Sequence, residues 1–161
     1  MGEQVIRIQC QDGNVLELPV DVLAKADFTG GNFHRAVFTQ ENLEESDFSD
    51  ADLRGSLLDG ANLRRGVLKG ARLMNALLVN AVMEGCDLRN SSLVGAVLDG
   101  ADLRNSDLSD ADIAFSSLKK ADVRGAKFLC KRIESADLQG LVFDEATIFP
   151  DGWVPGRGML E

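Results

Sequence analysis

The chain has 161 residues, 45% apolar and 27% charged, with a formal charge of −9 at pH 7. That length sets a single folded unit, and that balance describes a soluble, folded chain. The charge disfavours nonspecific attachment to nucleic acid or anionic lipid, which repel it, and no apolar run approaches the ~18 residues of a membrane span.

In chain order, the first residues, Met1 to Ile6, lack the basic and apolar regions of a signal peptide, and position 6 is not Ser or Thr as myristoylation requires. Cytoplasm is therefore the expected location. Val5–Gln9 and Val15–Leu18 flank Gln11-Asp12-Gly13-Asn14. Asp-Gly between two β-type runs is a strong hairpin signal, so residues 1–25 are expected to form an N-terminal β-hairpin and cap, packed on or beside the start of the next segment.

From Phe28 to Ile148 every fifth residue is large and apolar, 25 positions without a break. The residue two before each is small in all but three units, where Glu41, Lys131 and Leu141 stand. Asp or Asn often precedes the central residue, and Gly or Asn often fills the fifth position, as at Gly55, Gly60, Asn75 and Gly95. A period of five suits neither a helix nor a plain strand. It requires a corner once per unit, and Gly and Asn accept the positive φ that corners use. Large and small side chains two apart then point inward and fill a narrow interior.

This pattern, A-(D/N)-L-x-x, resembles the pentapeptide-repeat family. Ala51-Asp52-Leu53-Arg54-Gly55, Ala61-Asn62-Leu63-Arg64-Arg65 and Ala101-Asp102-Leu103-Arg104-Asn105 carry the resemblance, which spans residues 26–150. It implies an all-β fold, a right-handed quadrilateral β-helix with four units per coil. Residues 26–150 then make about six coils, ~30 Å tall at ~4.8 Å per coil. It also implies a bacterial setting, cyanobacteria above all. Leu18 and Leu23 keep the five-residue phase, so the stack is allowed a slightly earlier start.

Both ends of a solenoid need covering. Residues 151–161 are expected to form a short C-terminal tail and cap, because Pro150 and Pro155 stop further pairing. Phe149 and Trp153 are candidates to cover the last coil. Most phenylalanines fall in the first and last coils. At Glu41 and Lys131 a local distortion is expected to tip the charge outward, since a buried charge is costly.

No catalytic, cofactor or metal motif is present, and no small-molecule substrate is evident. His34 is the single histidine, in an outward position. Cys10, Cys86 and Cys130 lack any metal-binding spacing and read as buried or half-buried thiols in a reducing compartment. The expectation is a protein that is not an enzyme.

Four units per coil stack residues 20 apart on one face. Val37, Leu57, Leu77 and Val97 then form an apolar column, with Val79 on the same face and Met74 and Val94 on the face before it. Ser117 and Asp137 end the column. Apolar stripes mark contact sites. Three readings stay open: a homodimer through this face, docking of another protein or of the chain's own N-terminal segment, or β-propensity alone with no partner. Direct binding to nucleic acid or membrane is not expected.

The family resemblance also implies an alternative, a DNA mimic that binds DNA gyrase, as in quinolone resistance. B-form DNA of ~30 Å carries ~18 negative charges. Residues 26–150 hold 20 acids and 14 bases, a net of −6. Acids cluster between Glu41 and Asp52, and bases between Lys119 and Arg132, an unevenness that a DNA mimic would not choose.

Overall fold

The structure is a computed structural model that describes residues 5–153 and Gly156. Its geometry starts at the corners. Every fifth residue from Lys25 to Gly125 has a positive φ, between 54° and 71°. After each corner an amide donates back to the central residue, as Gly66 N does to Leu63 O at 2.9 Å. Positive φ at the third of four residues with this bond is the mark of a type II turn. The Asp or Asn before the centre adds a second bond: Asp52 Oδ1 accepts Arg54 N–H at 3.2 Å.

Between corners the chain is extended just long enough to pair with the coils above and below. Phe28 N donates to Asp47 O at 2.7 Å, and Asp47 N donates to Ala26 O at 2.9 Å. Repeated, these bonds set a rung every 20 residues. Four parallel columns of rungs result, starting at Asp27, Asn32, Val37 and Asn42. They give the four sides of about six coils, in line with the expected all-β solenoid.

Alternating large and small side chains fill the interior. Leu53, Leu58, Leu63, Leu68 and their equivalents are fully buried, as are Ala51, Ala61 and Ala71. Ser takes the small position in five units. The Ser91 hydroxyl has no partner among the described residues, and in the other four the hydroxyl donates to the carbonyl three residues back, as Ser56 does to Leu53 at 2.8 Å and Ser106 to Leu103 at 2.6 Å. A buried hydroxyl is thereby satisfied without interrupting the ladder.

At the N-terminus, β1 (Ile6–Gln9) and β2 (Val15–Leu18) form the expected antiparallel hairpin. Leu18 belongs to β2, and Leu23 is the first inward residue of the stack. The chain just after β1 pairs antiparallel with the first coil, Cys10 opposite Ala36. It covers the lower edge of the Val37 column. Phe28, Phe33, Phe38 and Phe48 pack there with ring centroids 4.8–6.0 Å apart.

The three irregular units behave differently from one another. Glu41 is exposed with no distortion of the backbone: its amide keeps the turn bond to Phe38 O at 3.1 Å, and its carbonyl keeps the rung to Asn62 N at 2.9 Å. The expected kink is absent there, because Glu41 lies beside the open lower end near Asp21 and Val22, where the side chain reaches solvent directly.

Lys131 does come with a distortion. It pairs with Asp112 at a spacing of 19, Cys130 fills the small inward position one residue early, and a 3-10 turn at Ile133–Ser135 restores the phase. Leu141 is buried and leaves the rungs intact: Val142 N still donates to Ala121 O at 2.8 Å.

The last unit corrects the sequence reading. Ile148, expected to point inward, is 50% exposed and pairs with Lys127 at a spacing of 21. Phe149 takes the inward place. It stacks on Phe128, Phe143 and Trp153, the last at 4.6 Å, and closes the upper end. Pro155 lies outside the described residues.

Candidate protein-contact face

The rungs Val37, Leu57, Leu77 and Val97 stand directly above one another, with Ser117 and Asp137 continuing the column. Leu77 is the most exposed of the four apolar rungs, at 36%, and the other three are half-buried. Met74 and Val94, placed by the sequence on the preceding face, lie at the corner beside this column. They join Leu57 and Leu77 in one open groove of about 630 Å³. Arg35, Arg54 and His34 line its lower part, and Gly55 and Asn75 its corner.

Val79 is not in that groove. It sits at the opposite corner of the same side, in a separate hollow with Asp99 and Lys119. Its amide donates to Asp59 Oδ1 at 2.9 Å. The groove is therefore narrower than the sequence suggests and tilted toward one corner.

The chain's own N-terminal segment does not lie over the apolar rungs. It closes their lower edge. Val37 N donates to Gln9 O at 2.8 Å, Gln11 N donates to Arg35 O at 3.0 Å, and Gln11 Nε2 donates to Gly55 O at 2.5 Å.

One exposed residue escaped the sequence reading. Phe115 occupies a corner position with φ 57° and is 73% exposed. It stands in the corner column that begins with Arg35, Gly55, Asn75 and Gly95. A bulky residue in the left-handed region is strained. The signal was an aromatic where most units carry Gly, Asn or a charge.

Elsewhere the outward charges are largely tied to one another. Within units, Arg54 pairs with Asp52, Arg89 with Asp87, Arg104 with Asp102 and Arg124 with Asp122, at 2.6–2.7 Å. Between coils, Arg72 reaches Asp52, Arg65 reaches Glu45, and Arg132 reaches Asp112. The hydrogen bond from each in-unit arginine is the main cause holding the four carboxyls below the usual range, against the opposing effect of burial.

Cys10, Cys86 and Cys130 are buried free thiols. Burial pushes the Cys86 thiol up to about 12 and raises Cys130 as well. Thiols held protonated this way are poor nucleophiles. His34 is exposed, at the rim of the groove. Among the described residues no three His, Cys, Asp or Glu side chains come together as metal ligands, and no helix is long and apolar enough to cross a membrane.

Five-residue units that close into four-sided coils, with a type II turn at each corner and two side chains inward, define the quadrilateral β-helix. Sequence profiles described as pentapeptide repeats match residues 23–67, 56–93 and 91–128. The chain belongs to the pentapeptide-repeat family, whose β-helix is right-handed.

Among solved structures it is similar to Rfr23 of the cyanobacterium Cyanothece 51142, at 22% identity over 78% of this chain and 89% of that one, with a TM-score of 0.48. A thylakoid-lumen pentapeptide repeat protein of Arabidopsis thaliana matches at 25% identity over 66% and 64%, TM-score 0.42. QnrB1, a plasmid-mediated fluoroquinolone resistance protein, matches at 18% identity over 75% and 79%, TM-score 0.30. No curated protein matches the chain.

Proposed function

We propose that the protein is a non-enzymatic scaffold that offers one rigid side to a protein partner. The observation that carries this reading is the convergence of Leu57, Met74, Leu77 and Val94 in one groove, on a surface whose other outward charges are mostly paired. An apolar groove with a polar rim is the usual anatomy of a contact site. Rungs bonded above and below hold it in place, so little ordering is lost on binding.

The acidic side chains support a non-catalytic role. They act as turn acceptors and arginine partners, and the lowered carboxyls stay ionised rather than poised to give up a proton. The same pairing weighs against a DNA mimic, which needs its negative charge free. Three reduced thiols suit a reducing compartment, and the cytoplasm is the proposed location.

The test is a double substitution, Leu57→Glu with Leu77→Glu. Both side chains point outward, so the fold survives by circular dichroism while self-association or a captured partner is lost. Retention of every association by the folded double variant overturns the reading. A supercoiling assay with DNA gyrase tests the mimic: inhibition or protection at micromolar protein would replace the scaffold reading with it.

A further inference from the structure

We propose that the partner is an acidic, partly apolar protein segment, laid in extended form along the groove with its carboxylates at the lower end. The proposal rests on the contact-face reading above and names the chemistry of the partner.

The groove changes character along its height. Its lower part presents His34, Arg35 and Arg54, and its upper part presents Leu57, Met74, Leu77 and Val94. None of its ten lining residues is acidic, although the chain carries 26 acids against 17 bases.

The basic groups have counter-charges, but a partner meets the guanidiniums first. Arg54 and Arg72 share the one carboxylate of Asp52, whose side chain is only 8% exposed. Arg35 has Asp12 within electrostatic reach and makes no ion pair with it. The Asp12 carboxylate instead accepts Asn14 N–H at 3.1 Å. Three guanidiniums thus stand against two carboxylates, one of them buried, a local balance of +1 in a chain of −9.

The other acids of this side lie outside the groove and are turned onto their own chain. Asp59 accepts Val79 N–H, Asp99 accepts the Ser117 hydroxyl and Lys119 N–H, and Asp137 pairs with Lys119. Opposite charge across an interface fixes which partner docks and in which register. A guanidinium favours a carboxylate because its planar N–H donors match the two oxygens.

Spacing sets the order of residues in the segment. Coils rise ~4.8 Å each and an extended strand ~3.3 Å per residue. Arg54 lies one coil below Met74 and Leu77 and two below Val94. An acidic residue at Arg54 therefore places apolar residues in the groove about two or three positions away. Higher in the same corner column stands the exposed ring of Phe115, about six residues of extended segment from Arg35. That ring gains an apolar contact in the complex. A footprint of this size is well below a standard interface, and dissociation on the order of 100 μM is expected.

The experiment pans a phage-displayed random heptapeptide library on the full chain, with the L57E/L77E variant as subtraction. Peptides specific to wild type are expected to carry Asp or Glu two or three positions from Leu, Ile, Val or Phe. By calorimetry, replacing that acid with its amide weakens a selected peptide about tenfold on wild type and less than about twofold on the folded R35Q/R54Q variant. Phe115→Ala weakens the same peptide severalfold.

Wild-type-specific peptides without acids, or an amide replacement that costs the same on both proteins, overturn the acidic partner while the contact face stands. If no peptide distinguishes wild type from L57E/L77E, the extended segment is overturned, and the association test above then judges the contact face alone. Sedimentation with phosphatidylglycerol vesicles that is lost in R35Q/R54Q would overturn the protein segment in favour of a lipid surface.

Discussion

The central coils and the last coil obey the same rule with different strictness. From Asp27 to Ser117 every rung repeats at 20 residues and every inward side chain from Ala51 to Phe128 is essentially sealed. In the last coil the spacings are 19, 20, 20 and 21, and Phe143 and Ile148 are 41% and 50% exposed. The rungs adjust so that a small residue and a large one keep filling the interior. Where Lys131 stands in the small position, the chain slips by one and puts Cys130 there. Filling outranks register, because an unpaired buried charge costs more than a local 3-10 turn.

That contrast predicts a graded response. Ala101→Asp places a charge in a sealed central position and is expected to cost more than about 4 kcal/mol, enough to abolish folding. The measurement is soluble yield and circular dichroism; a folded variant would show that even central coils can slip. Leu78→Ala opens a void between two intact coils and costs about 3 kcal/mol, whereas Ile148→Ala at the upper end costs less than about 1 kcal/mol. Denaturant unfolding of the two variants reads the difference, and equal losses would erase the distinction between middle and end.

Thiol labelling sharpens it further. Cys86 and Cys130 are both buried and both held protonated, so native protein reacts only after local opening. The irregular last coil has fewer intact neighbours, and Cys130 is expected to label at least about tenfold faster than Cys86. Mass spectrometry of partially labelled protein identifies the order; simultaneous labelling would mean that the whole stack opens as one.

The smallest effect is electrostatic. The carboxyls of Asp52, Asp87, Asp102 and Asp122 are lowered in the folded chain relative to the unfolded one. A lowered carboxyl contributes stability that is present above its unfolded value, near pH 4, and is lost as pH falls through the folded value. Stability should therefore be flat at neutral pH and decline below about pH 4. Asp52→Asn keeps the turn, since Asn62 accepts Arg64 N–H in the same way at 3.2 Å. It removes the pairing with Arg54 and Arg72 for about 1 kcal/mol and shallows the acid decline. An unchanged acid profile would show that these pairs add nothing.

The interior was largely legible in the sequence because one rule, large and small two apart, acts at every unit. The stacking of Val37, Leu57, Leu77 and Val97 followed once four units made a coil. Three things were not legible. Phe149 displaced Ile148 because the inserted residue lies in a turn, and both residues are large and apolar. Glu41 stayed undistorted because its distance from the open end is a property of the assembled stack. Phe115 was hidden in the corner position, where the eye expects Gly or Asn and reads exceptions as noise. The corner positions also explain why Met74 fell in with the Leu57 groove and Val79 fell out of it. A residue at a corner belongs to whichever side its side chain leans toward, and spacing alone does not specify the lean.

The rung spacing of 20 carries a consequence for how such a chain can lengthen. Duplicating a single five-residue unit turns everything after it by a quarter, and a stripe shared by Leu57 and Leu77 would be split between two walls. Duplicating four units at once adds a storey and leaves every wall intact. Growth in this molecule is thus quantised: five residues change which way it faces, and twenty change only how tall it stands.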